Sequence, residues 1–139
     1  MLMGEYSHTL DQKGRVNFPA KLREGLGDAF VLTKGLDNCL FVYSQDEWEI
    51  LSKRTSELPL NKSRSLQRFF FAGAAEVEVD KQGRIIIPQH LREYADLEKD
   101  ITIIGASTRA EIWNADRWAE SLDGLTPDAI ADAMEELGF

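Results

Sequence analysis

The chain has 139 residues, of which 43% are hydrophobic and 29% are charged, and its formal net charge is −8. This length suits one compact domain or two small interlocked ones, and no apolar run reaches the ~18 residues of a membrane-spanning helix. The single cysteine, Cys39, excludes an internal disulfide, and its apolar neighbours indicate a buried, unreactive thiol. Since the first residues also lack the basic and apolar segments of a secretory signal, we expect a cytoplasmic protein.

The negative charge is concentrated at one end of the chain. Residues 111–139 contain eight acidic residues against one basic residue, a sum of −7 that leaves −1 for residues 1–110. Basic patches outside the acidic end can therefore still contact phosphate groups. The net charge does not exclude a nucleic-acid partner.

The first predicted elements are two short strands joined by a tight turn. The alternating strand Glu5–Leu10 leads into the sequence DQKG, and the strand Arg15–Phe18 follows. Aspartate at the first turn position accepts hydrogen bonds from the N–H groups ahead of it, and glycine takes the left-handed conformation that closes a bulged hairpin. Pro19 then ends the second strand and can open a short helix, PAKLRE.

Further strands and helices follow in the chain. Two strands are predicted near Phe30–Thr33 and Leu40–Tyr43, and a helix starts after Ser44, a favourable N-cap. A linking helix is predicted from about Asn61 to Ala72, after the break at Pro59.

The turn block then recurs. Residues 11–24 read DQKGRVNFPAKLRE and residues 80–93 read DKQGRIIIPQHLRE, so seven of fourteen positions are identical. Two strands near Ile101–Ile104 and Ala110–Trp113 and a helix after Asn114 repeat the order of the first copy. The chain is therefore interpreted as an internal duplication.

The duplication defines the predicted domain organisation. A first repeat spans residues 5–47, a linking helical segment 48–75, a second repeat 76–119 and an acidic C-terminal helix 120–139. One repeat alone buries too little surface to be stable, but two can share a core by exchanging strands about an approximate two-fold axis. The predicted fold class is α+β, mainly β, with the repeats forming an intramolecular pseudo-dimer.

The C-terminal helix is predicted to be amphipathic. Thr126 caps it, Pro127 opens it, and acidic residues line the face opposite the apolar one. The apolar stripe consists of Ile130, Ala133, Met134 and Leu137. We expect this helix to pack on its own protein, with a partner-binding tail as the alternative.

Both turn blocks resemble the SpoVT-AbrB superfamily of DNA-binding proteins. Two copies in one chain, together with GEYSHTLDQKGR, RFFFAGAAEVEVDKQGRI and LREYADLEKDI, resemble the MraZ family, and the resemblance extends from Met3 to about Ser121. It implies swapped-hairpin β-barrels and a sequence-specific transcriptional regulator in the nucleoid. It further implies binding to tandem short G-rich repeats at the promoter of the bacterial division and cell-wall gene cluster, including the protein's own gene, by a ring-like homo-oligomer.

The resemblance also places the paired Asp-x-x-x-Arg motifs on the DNA-facing side. A two-stranded ribbon fits the major groove, where an arginine fork donates two hydrogen bonds to guanine, while turn lysines suit phosphate contacts. The predicted DNA-binding residues are Lys13, Arg15, Asn17, Lys81 and Arg84. The predicted turn-forming residues are Asp11, Gly14, Asp80 and Gly83. A merely solvated arginine is the alternative for either copy alone, and duplication of the motif argues against it.

The two copies are not equivalent. Residues 10–24 sum to +2 and residues 80–93 to +1, and Arg84 shares its strand face with Ile86 where Arg15 shares its face with Asn17. We expect the first hairpin to be the main reader and the second to be more buried, for example under a neighbouring protomer.

Four other arginines are predicted to have roles outside DNA reading. Arg23 and Arg92, each followed by a glutamate, are interpreted as tying the short helices to the barrel, with DNA contact as the alternative. Arg64 and Arg68 on the linking helix indicate a solvated face or a protomer contact rather than a second DNA site.

The sequence disfavours two other classes of function. An enzyme or metal protein is disfavoured because His8 and His90 occur singly and no phosphate-binding loop or nucleophile elbow is present. The sequence therefore predicts no cofactor, no metal, no small-molecule substrate and no membrane partner. An antitoxin whose acidic tail masks a toxin is the second rival; two copies and a capped tail helix argue against it.

Overall fold

The computed structural model describes residues 1–138 and contains two antiparallel sheets. All predicted strands are present. The strands are β1 (Glu5–Thr9), β2 (Arg15–Asn17), β3 (Ala29–Lys34), β4 (Leu40–Ser44), β5 (Ala75–Glu78), β6 (Arg84–Ile86), β7 (Asp100–Ala106) and β8 (Arg109–Asn114).

The predicted helix starts are confirmed by their caps. The hydroxyl of Ser44, the amide oxygen of Asn114 and the hydroxyl of Thr126 each accept hydrogen bonds from backbone N–H groups of the first helical turn. In the described part of the chain no helix is long and apolar enough to cross a membrane. The helices are α1 (Ala20–Leu26), α2 (Gln45–Ser56), α3 (Leu60–Leu66), α4 (Gln89–Tyr94), α5 (Ala115–Ser121) and α6 (Pro127–Glu136).

The larger sheet combines strands from both copies of the repeat. Its order is β1-β7-β8-β4-β3-β5, while β2 and β6 form a separate two-stranded sheet, here called the ribbon. The equivalent strands of the two copies are β1 and β5, β3 and β7, and β4 and β8. Exchange of each strand for its equivalent gives the same order, read from the other edge of the sheet. The register agrees, because the β4–β8 pairing is centred on Phe41 opposite Glu111 and the ribbon on Val16 opposite Ile85.

The β-barrel that the resemblance implies is not formed as a closed sheet. The six-stranded sheet is open, with β1 and β5 as its outer strands. Instead of forming a ladder with each other, the strands that flank each turn pair elsewhere: β1 with β7, β5 with β3, and β2 with β6. The ribbon strands have only three residues each and are followed closely by Pro19 and Pro88, which lack a ladder N–H. They are too short to join the outer strands into a closed sheet.

The hydrophobic core lies between the six-stranded sheet and the ribbon. Alternating strand residues such as Phe30, Leu32 and Ile103 are fully buried, as are Val16 and Ile85 on the inner side of the ribbon. Burial of this kind stabilises the fold by roughly 25 cal/mol per Å² of apolar surface. Since the inner residues anchor the ribbon, its other face is directed away from the core.

The linking segment differs from the single helix predicted for Asn61 to Ala72. Helix α3 ends at Leu66, and Gln67–Phe71 continues as a wider π-helical turn. The Phe70 carbonyl accepts a hydrogen bond of 2.5 Å from Thr33 Oγ1 on β3, and the Phe70 ring stacks on Phe41. Anchoring of Phe70 to the sheet accounts for the local widening of the helix.

The packing prediction for the C-terminal helix is also wrong. Helix α6 buries no residue, and Ile130 and Met134 of its apolar stripe are 42% and 43% exposed. Helix α5, in contrast, packs on the body, with Trp118 edge-on against Trp113. The apolar stripe of α6 is therefore left open in the single chain.

The thiol prediction is confirmed. Cys39 is buried, and its Sγ donates a hydrogen bond to the Leu36 carbonyl. Burial raises the pKa of this thiol to about 12, so the reactive thiolate form is strongly disfavoured.

Candidate nucleic-acid interface

The first turn holds its aspartate and arginine in one hydrogen-bonded unit. Asp11 Oδ1 accepts hydrogen bonds from the N–H groups of Lys13 and Arg15, at 2.9 and 2.8 Å. Asp11 Oδ2 accepts a third bond, of 2.7 Å, from Arg15 Nε. Gly14 has a φ of +83°, the left-handed value that the turn requires. The motif thus fixes one side of the Arg15 guanidinium and leaves its two Nη atoms for another partner.

The second turn repeats this arrangement with one looser contact. Asp80 Oδ1 accepts hydrogen bonds from the N–H groups of Gln82 and Arg84, at 2.8 and 2.9 Å, and Gly83 has a φ of +79°. Arg84 Nε lies 3.5 Å from Asp80 Oδ2 and makes no hydrogen bond. The Arg84 guanidinium is therefore held less tightly than that of Arg15.

Both aspartates are stabilised as carboxylates. The backbone N–H of Arg15 is the largest cause of a lowered pKa at Asp11, and the backbone N–H of Arg84 plays the same part at Asp80. Each turn therefore carries an ionised carboxylate at neutral pH, which supports the conformation of the turn and the orientation of its arginine.

The ribbon brings the two motif arginines onto a common face. Its register places Arg15 opposite Ile86 and Asn17 opposite Arg84, with Val16 and Ile85 directed to the core between them. Because side chains alternate along a strand, the four outer residues share one surface. The outer face of the ribbon is defined by Arg15, Asn17, Arg84 and Ile86.

The expected burial of the second hairpin is not observed in the single chain. The side chains of Arg15 and Arg84 are 34% and 30% exposed, and the turn lysines, Lys13 and Lys81, are both exposed. Ile86 is 59% exposed. Ile86 is left exposed in the single chain because Ile85 and Ile87 already fill the inner positions. Burial of this hairpin under a neighbouring protomer stays a prediction.

The two turns are joined to each other through the ribbon backbone. The Phe18 N–H donates to the Gly83 carbonyl at 2.9 Å, and the Ile87 N–H donates to the Gly14 carbonyl at 2.8 Å. Arg92 Nε donates to the Ile87 carbonyl at 2.9 Å. These bonds fix the spacing between the two motif arginines.

The predicted structural role of the helix arginines is therefore supported for Arg92. Its guanidinium also lies against Gly14, since a Cβ at that glycine would come within 2.9 Å of it. Arg23 lies in the equivalent place beside Gly83, with a buried Nε that has no hydrogen-bond partner. Neither arginine forms an ion pair with the glutamate that follows it.

The outer face has the chemistry of a nucleic-acid reader. Two guanidinium forks stand on one narrow two-stranded element, and an exposed lysine flanks each at the turn. Arginine forks match the guanine edge and lysines match phosphate groups. Arg64 and Arg68 are exposed on the linking segment, outside this face.

A cleft beside Trp113 and Trp118 has different chemistry. It has a volume of about 850 Å³ and is lined by Trp113, Trp118 and acidic side chains, including Glu111. Both Glu111 oxygens are engaged, by Arg109 and by the Trp113 indole N–H. Arg117 is the one basic residue of its lining, against three acidic residues. Among residues 1–138, no cluster of His, Cys, Asp or Glu is suited to hold a metal ion.

Comparison with known proteins identifies the family. The family model for the MraZ protein, whose description adds a likeness to antitoxins, matches residues 1–68 and 70–136. The chain belongs to the MraZ family. The two matched segments agree with the tandem duplication seen in the sequence, and together they include both Asp-x-x-x-Arg turns.

Curated MraZ relatives cover all or most of the chain. The transcriptional regulator MraZ of Caldicellulosiruptor saccharolyticus is 56% identical over 143 aligned residues, which cover 100% of both chains. That of Acetivibrio thermocellus is 58% identical, again over 100% of both. That of Caldanaerobacter subterraneus subsp. tengcongensis is 63% identical over 86% of this chain and 85% of its own.

The predicted site residues lie close together in the structure, and Ile86 lies among them. The structure brings Arg15, Asn17 and Arg84 together on the outer face, and Lys13 and Lys81 lie on the flanking turns. The sequence places Ile86 on the strand face of Arg84, but Ile86 is not among the predicted DNA-binding residues. The sequence signal is the alternation of side chains along a strand. Ile86 lies between Ile85 and Ile87, so it points outward when those two point to the core.

Proposed function

We propose that this MraZ protein is a sequence-specific DNA-binding transcriptional regulator that reads the major groove with the outer face of its ribbon. The observation that carries the proposal is the common exposed face of Arg15 and Arg84, each oriented by an aspartate of its own turn. The names of the relatives, which are transcriptional regulators, support it. The proposed DNA contacts are Lys13, Arg15, Asn17, Lys81 and Arg84.

The proposed body is a covalent pseudo-dimer of the repeats 5–47 and 76–119, joined by the segment 48–75. Strand pairing between the copies, centred at Phe41 opposite Glu111 and at Val16 opposite Ile85, supports this view. The swapped-hairpin arrangement of the superfamily is the form we propose for it. The acidic helix 120–139 would lie outside the pseudo-dimer.

The proposed operator is a set of tandem short G-rich repeats upstream of the division and cell-wall gene cluster and of the protein's own gene. One ribbon offers few base contacts, so a ring-like homo-oligomer would engage several repeats at once. Linking sites in this way raises avidity by ~10²–10⁴ without new contacts. Exposed apolar residues on α6 and at Leu58 and Leu60 of the linking segment leave surface for self-association. Such a regulator would act in the cytoplasm, on the nucleoid.

A titration of labelled duplex DNA tests the proposal. One duplex carries the region upstream of the protein's own gene, and its control is a scrambled duplex of the same length and composition. We expect binding to the first to be at least about 10³-fold tighter at the same salt concentration, and to weaken steeply as salt increases. Equal affinities for the two duplexes would contradict the proposal.

A further inference from the structure

The outer face of the ribbon has an arginine from each copy at equivalent positions, but its other two residues differ between the copies. Exchange of the two copies maps Arg15 onto Arg84 and maps Asn17 onto Ile86. One of these equivalent positions therefore holds an amide with hydrogen-bonding groups, and the other holds an aliphatic side chain. Identical residues at the two positions would contact the same bases on both sides of the approximate two-fold axis. Asn17 and Ile86 differ chemically, so they cannot contact the same bases.

Ile86 is placed as a contact residue rather than as a core residue. Exposure of a single isoleucine carries no meaning by itself, but this one lies directly across the ribbon from Arg15 and two residues along the strand from Arg84. The core is complete without it, because Ile85 and Ile87 are 1% and 0% exposed.

The spacing of the ribbon suits contacts with neighbouring base pairs. Side chains directly opposite in an antiparallel pair have Cβ atoms about 4.5–5.5 Å apart, and diagonal ones lie about 7–8 Å apart. Successive bases along one DNA strand are about 3.4 Å apart. An arginine on guanine therefore brings the residue opposite it within reach of an adjacent base pair.

We propose that Ile86 is a specificity-determining residue that contacts the C5 methyl group of a thymine, while Asn17 at the equivalent position reads an adenine. Aliphatic groups recognise the thymine methyl in the major groove, and asparagine pairs with the N6 and N7 atoms of adenine. The bound sequence is then non-palindromic, and the chain binds it in one orientation. This inference rests on the DNA-binding function proposed above.

Selection from a random duplex library, followed by base replacement, tests the inference. The wild-type chain should select a non-palindromic site, and replacement of one of its thymines by deoxyuridine, which lacks only the methyl group, should weaken wild-type binding about fourfold. Ile86→Ala should bind the thymine duplex with a similar loss and should no longer distinguish thymine from deoxyuridine. Ile50→Ala, which truncates another exposed isoleucine outside the ribbon, should behave as wild type.

A second variant changes the symmetry of the face itself. Ile86→Asn gives both copies the same pair of outer residues, so its selected site should shift towards a palindrome. A wild-type palindromic site, or deoxyuridine replacements that affect wild type and Ile86→Ala alike, would overturn the inference and leave the proposed function standing. A change in oligomer mass on Ile86→Ala would likewise overturn it, since Ile86 would then be a protomer contact. Selection of no site at all would overturn the proposed function as well.

Discussion

In the first copy, the Asp11 carboxylate holds Arg15 Nε through a hydrogen bond of 2.7 Å, whereas in the second copy Asp80 and Arg84 Nε are 3.5 Å apart. The glycines differ in the same sense. A Cβ at Gly14 would meet the Ile87 carbonyl at 2.8 Å and Arg92 at 2.9 Å, whereas a Cβ at Gly83 has its nearest neighbour at 3.9 Å.

The comparison separates what the turn requires from what surrounds it. Both turns keep the aspartate, the left-handed glycine and the arginine, because these residues determine the backbone path and the direction of the guanidinium. The turn does not require a particular tightness of packing, and the packing differs between the two copies. The residue two positions after the arginine also differs, being Asn17 in the first copy and Ile86 in the second. The first turn is thus the more tightly packed of two similar turns.

Removal of both arginines should have the largest effect. Each bidentate arginine–guanine contact contributes about 1–3 kcal/mol of discrimination, so the double variant Arg15→Ala, Arg84→Ala should lose most of the preference for operator over scrambled duplex. Fluorescence anisotropy with both duplexes measures the loss. The control, Arg64→Ala with Arg68→Ala, removes the same charge from the linking segment and should retain the preference. An equal loss of preference in the control would contradict the assignment of the DNA interface to the ribbon.

The two turn glycines should differ in their effect on stability. Alanine in the left-handed region costs about 1–2 kcal/mol at either position. Gly14→Ala adds overpacking of about 1–3 kcal/mol because its Cβ would meet backbone at 2.8 Å. Chemical denaturation should therefore show a smaller loss for Gly83→Ala. Equal losses of unfolding free energy would mean that the atoms around Gly14 shift at little cost to make room for the added methyl group.

The single arginine variants test which reader dominates. Both losses of binding free energy should fall within about 1–3 kcal/mol, with the larger loss for Arg15→Ala. Arg15 is already oriented by its hydrogen bond to Asp11, so it loses less side-chain freedom on binding. Titrations of both variants against the same operator measure the difference, and equal losses would show that the tighter contact to Asp11 is without consequence for reading.

The smallest effect is expected from the pH dependence of the turn carboxylates. The pKa values of Asp11 and Asp80 are lowered in the folded chain, so their stabilisation is complete above the unfolded pKa of about 4 and is lost as pH falls through the folded values. Asp11→Asn with Asp80→Asn should flatten the fall in the free energy of unfolding on acidification. Asp132→Asn, on α6, should not, and an unchanged slope in the double variant would contradict the assignment.

The local elements could be predicted from the sequence because their causes are local. Ser44, Asn114 and Thr126 cap the helices that were expected to follow them, and the Asp-x-x-Gly turns have the predicted left-handed glycines. The repeated motif likewise predicted that Arg15 and Arg84 occupy equivalent places, and both lie on the outer face of the ribbon.

The pairing of strands could not be predicted in the same way. Nothing in residues 5–10 indicates that β1 pairs with β7, about a hundred residues away, rather than with the strand beyond its own turn. The choice depends on the burial of both copies in one core, which is a property of the whole chain. The ribbon, and with it the common face of Arg15 and Arg84, follows from that choice.

The remaining errors concern surfaces. Helix α6 has a correct amphipathic pattern, but the pattern does not say which surface covers the stripe, and in the single chain Ile130 and Met134 stay exposed. The linking helix widens at Gln67–Phe71 because Phe70 is bound to Thr33 on a distant strand. Both features depend on partners that helix periodicity cannot show.

Joining the copies through one polypeptide has an evolutionary consequence. In an assembly of two identical chains, any mutation in a ribbon strand appears twice, so the two halves of the face must stay alike. Here β2 and β6 are encoded separately, and a codon change in one leaves the other untouched. An internal duplication therefore permits the contact residues of each half to change independently. Every chain still contains both halves in equal number.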